Sequence, residues 1–323
     1  MTVEIPLNPV ERVEVLTVID NVADALLTNT EVAKRLGVAG REMDTLPQIE
    51  APLLEAGRAA DVPVAEHGLS FLVSITNGDA RRSVLFDTGS TVDGLAHNLR
   101  VLGVNPGEIE AIVLSHGHFD HTTGLNGLSK GPQPLPPLVV HPDFWLRRRI
   151  ALPGREPYEL PTTSEEKVRA AGFSVVERCD PSLLLDGGLL VTGEIERTTE
   201  FERGFAVHQA FRDGEWQPDP LIHDDQALVA NVRGRGLVVI TGCGTLVSST
   251  RCATPASSRA SSECTRSSAA CTWRRHSLSP PFGRQWRRWL SWRCRWWSPP
   301  TAQGGGLPTP WRPPFRTPSS PPA

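Results

Sequence analysis

The sequence predicts an α/β protein, and three observations carry that prediction. Short apolar runs rich in β-branched residues alternate with amphipathic stretches from Val13 to Thr241. Thr91 to Gly103 sets Val92, Leu95, Leu99 and Leu102 at helical spacing, with Gly103 as a stop. Asn77-Gly78-Asp79 joins two alternating runs, the pattern of a hairpin.

In chain order, Val13–Ile19 reads as a strand and Asp20-Asn21 as the start of a helix over Val22–Leu27. Asp20 is then either a helix cap or a polar group on the substrate side. Residues 28–64 read as a long loop. Glu66-His67-Gly68-Leu69-Ser70 leads into a strand at Phe71–Thr76, paired through the hairpin with Ser83–Asp87. After the helix, Asn105-Pro106-Gly107 returns the chain to an apolar run, Ala111–Leu114, read as a buried strand. Residues 131–137 form a Pro-rich loop, and Leu138–Val140 a short strand ending in His141-Pro142-Asp143. A strand-end His beside a helix-starting Pro is commonly structural; a substrate-side role for His141 is the alternative. Further strands are expected around 173–176, 189–192, 205–211, 226–230 and 237–241, with the polar segment 193–202 facing nothing obvious.

Charge divides the chain. Up to Gly244 there are 21 Lys plus Arg against 35 Asp plus Glu; from Thr245 there are 12 Arg, no Lys and one acid, Glu263. Seven of nine Trp and four of six Cys also lie in that last stretch. The expected domain therefore runs over 1–244, followed by a low-complexity tail over 245–323. No secretory leader and no apolar run of roughly 18–20 residues is seen, so neither export nor membrane insertion is expected. Two cysteines in the body, Cys179 and Cys243, suit a reducing cytoplasm.

The chemistry concentrates in Ser115-His116-Gly117-His118-Phe119-Asp120-His121. Three imidazoles and a carboxylate within six residues are a ligand set for zinc or a similar divalent cation. His116 and His118, two apart at an extended strand end, project the same way and can grip one ion. Asp120 and His121 follow where the chain turns towards a helix and can reach a second.

His116-x-His118-x-Asp120-His121 after an apolar strand resembles the signature of the metallo-β-lactamase fold superfamily. Val84-Leu85-Phe86-Asp87-Thr88-Gly89 resembles its upstream Asp-x-Gly turn. The resemblance implies an αββα sandwich, two sheets packed together with helices outside. It implies that His116 and His118 hold one ion and that Asp120 and His121 hold the other. It also implies that Asp87 orients the ligands from behind, and that Asp120 directs a hydroxide nucleophile. The cofactor implied is a pair of divalent ions, zinc first, with iron or manganese as alternatives that sequence cannot separate. Asp20-Asn21, 66–70, 193–197, Asp224-Asp225-Gln226-Ala227-Leu228 and Thr241-Gly242-Cys243-Gly244 together resemble the dihydropterin-synthase-related branch. A small substrate bearing an ester, phosphoester or amide-like centre follows, with a phosphate as a family-level guess. His67, Asp20, His141 and Asp225 are substrate-side candidates. Oligomeric state is left open.

In that branch a His follows the Thr-Gly-Cys-Gly stretch and completes the first metal site; here the position holds Thr245. Arg without Lys, with abundant Pro, Ser and Trp, is what GC-rich DNA gives when read out of frame. One common shift lets Thr245–Arg259 encode a His-Ser-Gly-Ile-Val-Asn stretch, and lets two later segments encode branch-like motifs. The sequence therefore leads to the expectation that 245–323 is out of frame and disordered and the second half of the sandwich incomplete. Two alternatives are an inactive product, and a basic Arg/Trp tail binding nucleic acid or anionic lipid. Neither nucleic acid nor membrane is expected to partner the body.

Overall fold

Alternating burial along the central strands positions everything else. The computed structural model describes residues 5–37, 45–197 and 202–242, with the backbone of Arg266–Ser267. The strands are β1 (Pro9–Val10), β2 (Arg12–Ile19), β3 (Gln48–Glu50), β4 (Arg58–Ala60), β5 (Ser70–Asn77) and β6 (Ala80–Phe86). Helix α1 (Gly94–Val101) precedes β7 (Ile109–Val113), and the short helices α2 (Phe119–Thr122) and α3 (Leu125–Leu128) follow it. Next come β8 (Leu138–Val140), β9 (Arg148–Ile150), β10 (Tyr158–Glu159), α4 (Glu165–Ala170) and β11 (Val175–Glu177). The chain continues through β12 (Ser182–Leu184), β13 (Leu189–Val191), β14 (His208–Arg212), β15 (Glu215–Pro218), β16 (Ala227–Val232), β17 (Gly236–Thr241) and β18 (Arg266–Ser267).

One sheet runs β11-β8-β7-β6-β5-β2, in which β6, β7, β8 and β11 pair in parallel and β5 runs antiparallel to both of its neighbours, β6 and β2. The second runs β12-β13-β16-β17-β18, with β1 added beside β16. Phe71, Val73 and Ile75 of β5, Val84 and Phe86 of β6, and Ala111 and Val113 of β7 point from the first sheet into the shared core. There they meet Val191, Leu228, Ala230 and Ile240 of the second. The residues between them, Leu72, Leu85 and Ile112, point the other way onto Leu95 and Leu99 of α1 and Leu125 and Leu128 of α3. Period-two alternation in strands that are covered on both faces produces this layering. Full burial of each such side chain stabilises by about 1.5–3 kcal/mol. On the far face of the second sheet, Leu190, Ala227, Val229 and Val239 are closed by Leu7 and Ile195 among the described residues.

A third, antiparallel sheet, β10-β9-β14-β15, was foreseen only in β14, which overlaps the strand expected at 205–211. The other three, β9, β10 and β15, are two to four residues long and carry Arg, Glu and Gln, so no apolar period marks them. Helix α4, capped by Ser164 accepting from Lys167 N, was also missed. The expected helix over 22–27 does not form. Val22 and Leu26 are exposed, and the Asp24 side chain accepts from Leu26 N, so a local turn takes the place of a helix with no face to bury. The long loop over 28–64 contains the β3/β4 hairpin. Helix α1 is shorter than expected: Glu66 accepts from Ser90 N and Thr91 N, and holds the chain ahead of the helix. Its C-terminus closes as expected, with Gly103 at φ +68° and Val104 N bonded to Leu99 O. The segment 193–197 does face a partner, since Arg197 pairs with Asp225 at 2.9 Å in the interior. The expectation for 245–323 lies outside the described residues, apart from β18.

Candidate metal centre

The site is built where β6 and β7 end. Asp87, fully buried and at φ +61°, turns the chain out of β6. Its carboxylate accepts from Ser115 N at 2.6 Å, Ser115 Oγ at 2.8 Å and His121 Nδ1 at 2.7 Å. A carboxylate only accepts, so the Nδ1 proton of His121 is fixed and Nε2 is turned outward. That nitrogen lies 3.4 Å from Asp120 Oδ2. A second ring proton or a metal ion belongs between them. Gly242, just after β17, packs on this group: a Cβ there would lie 2.1 Å from Ser115 Oγ and 2.6 Å from Asp87 Oδ2.

From Ser115 a chain of imidazoles continues. Ser115 gives its proton to Asp87, so at the 2.9 Å contact His116 Nδ1 donates to Ser115 Oγ. His116 Nε2 then accepts from His118 Nδ1, also at 2.9 Å. His118 Nε2 meets His208 Nε2, at the start of β14, at 2.8 Å. The rings of His116 and His121 stand 4.4 Å apart by centroid.

The backbone between the first two histidines is pinned from behind. Gly117 N donates to Asp224 Oδ2 at 2.7 Å, and Asp224 Oδ1 pairs with Arg148 Nη2 at 2.8 Å. Both side chains of that pair are at most 2 % exposed. Arg148 also donates to the carbonyls of Asp143, Phe144 and Leu146. A Cβ on Gly117 would lie 2.1 Å from Phe144 O, so the loop can pass here only with glycine.

His118 is held well below the ordinary value of 6.5 by burial first, then by the positive field of Arg148 and the nearby His208. His208 is lowered by burial and Arg148, against the pull of Asp219. Burial opposes ionisation of Asp120, but the hydrogen bond and charge of His121, with His118 and His67, bring its carboxyl down to about 2. Asp219 is pushed up by burial. Burial therefore favours the neutral form of both histidines, which is the form that binds a metal.

The pH dependence follows from these directions. Two imidazoles lowered on folding contribute stability that is full above the unfolded value of 6.5 and is lost as the pH falls below it. Asp219, raised by burial, works the other way, from the ordinary carboxylate range upward. The metal-free protein is thus expected to lose stability as the pH falls below about 6.5, by at most about 1.4 kcal/mol per pH unit for each of the two imidazoles. Urea unfolding of chelated protein from about pH 7.5 down to about pH 5.5 reads this; a flat profile would refute it.

Of the residues singled out in the sequence, His116, His118, Asp120, His121 and Asp87 come together. His67 stands at the rim, 80 % exposed, its Nε2 3.6 Å from Asp120 Oδ2. Asp20 accepts from Asn21 N through its side chain and from Glu66 N through its carbonyl, next to His67. His141 is turned to other partners: its Nδ1 accepts from Asp143 N, and its Nε2 lies 3.9 Å from Glu194, which also contacts His223. Asp225 faces Arg197. Sequence reading missed His208, Asp224, Arg148 and Asp219. Only the Asp224-Asp225 doublet carried a signal, and from it the sequence singled out Asp225.

The model of the metallo-beta-lactamase superfamily matches residues 65–247, more than half of the chain. The chain belongs to that superfamily. Among its relatives, a 7,8-dihydropterin-6-methyl-4-(beta-D-ribofuranosyl)-aminobenzene-5'-phosphate synthase of Methanocaldococcus jannaschii is 31 % identical over 187 residues, 55 % of this chain and 61 % of that protein. A ribonuclease Z of Salinibacter ruber is 30 % identical over 173 residues, 52 % of this chain and 50 % of that protein. The chain thus spans between half and three-fifths of these relatives' lengths. A solved N-acyl homoserine lactone hydrolase, with N-hexanoyl-L-homoserine at its catalytic metal center, is 13 % identical with a TM-score of 0.34, covering 72 % of this chain and 76 % of that one.

Metallo-beta-lactamase superfamily members usually bind divalent metals. The residues here fit such an ion by their chemistry: neutral imidazoles, an ionised carboxylate, and ring nitrogens turned at each other and at Asp120. Among the described residues no three His, Cys, Asp or Glu already stand as a coordination shell, since the nitrogens touch one another. No helix of the described residues is long and apolar enough to cross a membrane.

Proposed function

We propose that this chain is a metal-dependent hydrolase acting on a small molecule with an ester, phosphoester or amide-like centre. The observation that carries the reading is the convergence of His116, His118, Asp120 and His121 at one end of the sandwich, braced through Asp87. His116 and His118 would hold one divalent ion, Asp120 and His121 a second, with zinc first. Such ions supply Lewis acidity and bring a bound water to a pKa of about 7. The protein's own part is positional. Asp87 and Ser115 fix the ring orientations of His121 and His116. Asp120, ionised at any pH well above 2, is an acceptor that can orient a nucleophile and take its proton. His67, exposed on the rim beside Asp120, would meet substrate in this reading.

The test is hydrolysis of generic phosphoester, ester and lactone substrates before and after chelation. Turnover is expected to vanish on chelation and return with zinc or manganese. His118→Ala is expected to lower it by at least about 10³-fold, roughly 4 kcal/mol of barrier. Activity indifferent to both would overturn the reading. A phosphate-bearing heterocycle is the substrate class proposed from the methanogen synthase likeness.

We also propose that residues 245–323 are read out of frame, on the charge and composition break after Gly244. Resequencing the gene across the codons for residues 235–255 tests this. A restored base would turn Thr245 into His; an unchanged sequence would end the idea.

A further inference from the structure

We propose that Glu66 is a positioning residue: its buried contacts with the turn after β6 set where His67 stands over Asp120. The inference rests on the reading above in which His67 meets substrate, and it adds a residue that touches neither substrate nor metal.

The Glu66 side chain is half-buried and lies in a cradle made by the turn out of β6 and the start of α1. Its Oε1 accepts from Ser90 N at 2.7 Å and from Thr91 N at 3.2 Å, and its Oε2 accepts from the Thr91 hydroxyl. That hydroxyl accepts in turn from Gly94 N, at the first residue of α1, at 3.1 Å. Successive backbone N–H groups turned on one carboxylate make an anion cradle, and here the anion is the chain's own. Gly89 and Gly94 leave room for it, since a Cβ on either would collide with the Glu66 carboxylate. The glycine of the Asp87-Thr88-Gly89 turn is thus required by Glu66 as well as by its own φ of +79°.

The same turn is tied to the histidine loop. Gly89 N donates to Leu69 O, and Gly89 O accepts from Thr123 N. Thr88 N donates to His121 O at 2.7 Å, and Leu69 N to Asp120 O at 3.4 Å. Gly68 passes so close to Asp120 that a Cβ there would collide with the Asp120 carbonyl. Residues 66–69 are therefore a strap laid across Asp120. Behind His67 the strap is held by Leu69; ahead of it, by the Glu66 side chain and by Glu66 N on Asp20 O. The His67 ring itself is 80 % exposed and meets Asp120 at 3.6 Å, too long for a hydrogen bond. Its place is set by the backbone on either side, and Glu66 fixes one of those sides with charge-assisted bonds.

Nuclear relaxation of the His67 ring in the full-length chain tests the assignment with no substrate present, the ring signal being identified by its loss in His67→Gln. In Glu66→Ala the ring and the amides of Gly68 and Ser90 should gain fast motion, while the amides of Gly117 and His121 keep their shifts. Glu66→Gln keeps Oε1 as acceptor for Ser90 and Thr91 and should restore the unsubstituted behaviour. In turnover, Glu66→Ala should lower kcat/KM by up to about 100-fold, the cost of a small misplacement of a positioned group. Combined with His67→Ala it should add no further loss, because it acts through His67. A His67 ring equally ordered in Glu66→Ala, an additive double variant, or shifts at Gly117 and His121 as large as those of the strap would each overturn the assignment. An unsubstituted protein without metal-dependent turnover would overturn the hydrolase reading instead, and ring relaxation would then decide the placement of His67 alone. If Glu66→Ala does not fold, Thr91→Val, which removes only the hydroxyl between Glu66 and Gly94 N, is read in its place.

Discussion

Asp87→Ala is expected to destabilise the protein by about 3–5 kcal/mol and to lower its metal affinity by about 10–100-fold. Three donors, Ser115 N, Ser115 Oγ and His121 Nδ1, converge on this carboxylate, and all belong to residues at most 1 % exposed. Each buried donor left unpaired costs about 1–3 kcal/mol. Asp87 also stands at φ +61°, where a residue with a Cβ and no local hydrogen bond is less favourable by about 1–2 kcal/mol. Some of the loss is relieved by donors turning to one another, which keeps the total below the simple sum. Against a typical stability of about 5–15 kcal/mol, the variant sits near the edge of folding. Asp87→Asn separates the two effects. It keeps size and tolerance of positive φ, but its amide cannot accept on both sides, so the loss in metal affinity should persist with a smaller loss of stability. Urea unfolding and a metal titration read the pair. A stability loss under about 1 kcal/mol for Asp87→Ala would mean that the carboxylate does not organise the loop.

Asp224→Ala should have a similar effect by a different route. The guanidinium of Arg148 and the carboxylate of Asp224 are both buried, and Arg148 Nε has no hydrogen-bond partner. Removing the acid leaves the cation uncompensated in the interior, which costs about 3–5 kcal/mol. It also frees Gly117 N, the anchor between His116 and His118. Arg148→Met alone should be costly for the converse reason. The double variant should recover much of the loss, because two apolar side chains in place of a buried pair are often near neutral. A double-mutant cycle with a coupling energy below about 0.5 kcal/mol would show the pair to be independent. Where the double variant regains stability but not metal affinity, the acceptor for Gly117 N is the part that matters to the site.

The pattern of success in the sequence has a physical basis. Strands β5, β6 and β7 were legible because covering both faces leaves short, continuous apolar runs rich in β-branched residues between turn signals. The hairpin at Gly78 and the helix stop at Gly103 were legible because each needs a positive φ that glycine supplies. Helix 22–27 was misread because a polar start and a few apolar residues look alike whether or not a core lies beneath them. Strands β9, β10 and β15 left no trace, since pairing at the edge of a small sheet requires no hydrophobic period.

The candidate centre divides in the same way. The sequence by itself brought out the polar groups of the strand-end loop, His116, His118, Asp120 and His121, since they lie within six residues and their neighbourhood is local. Only the tertiary structure decided what stands around them. His208 lies 90 residues from His118, and Asp224 lies 107 residues from Gly117. Such contacts are set by how sheets stack and which strands pair, and a hydrogen bond between two distant side chains imposes no period on the chain between them.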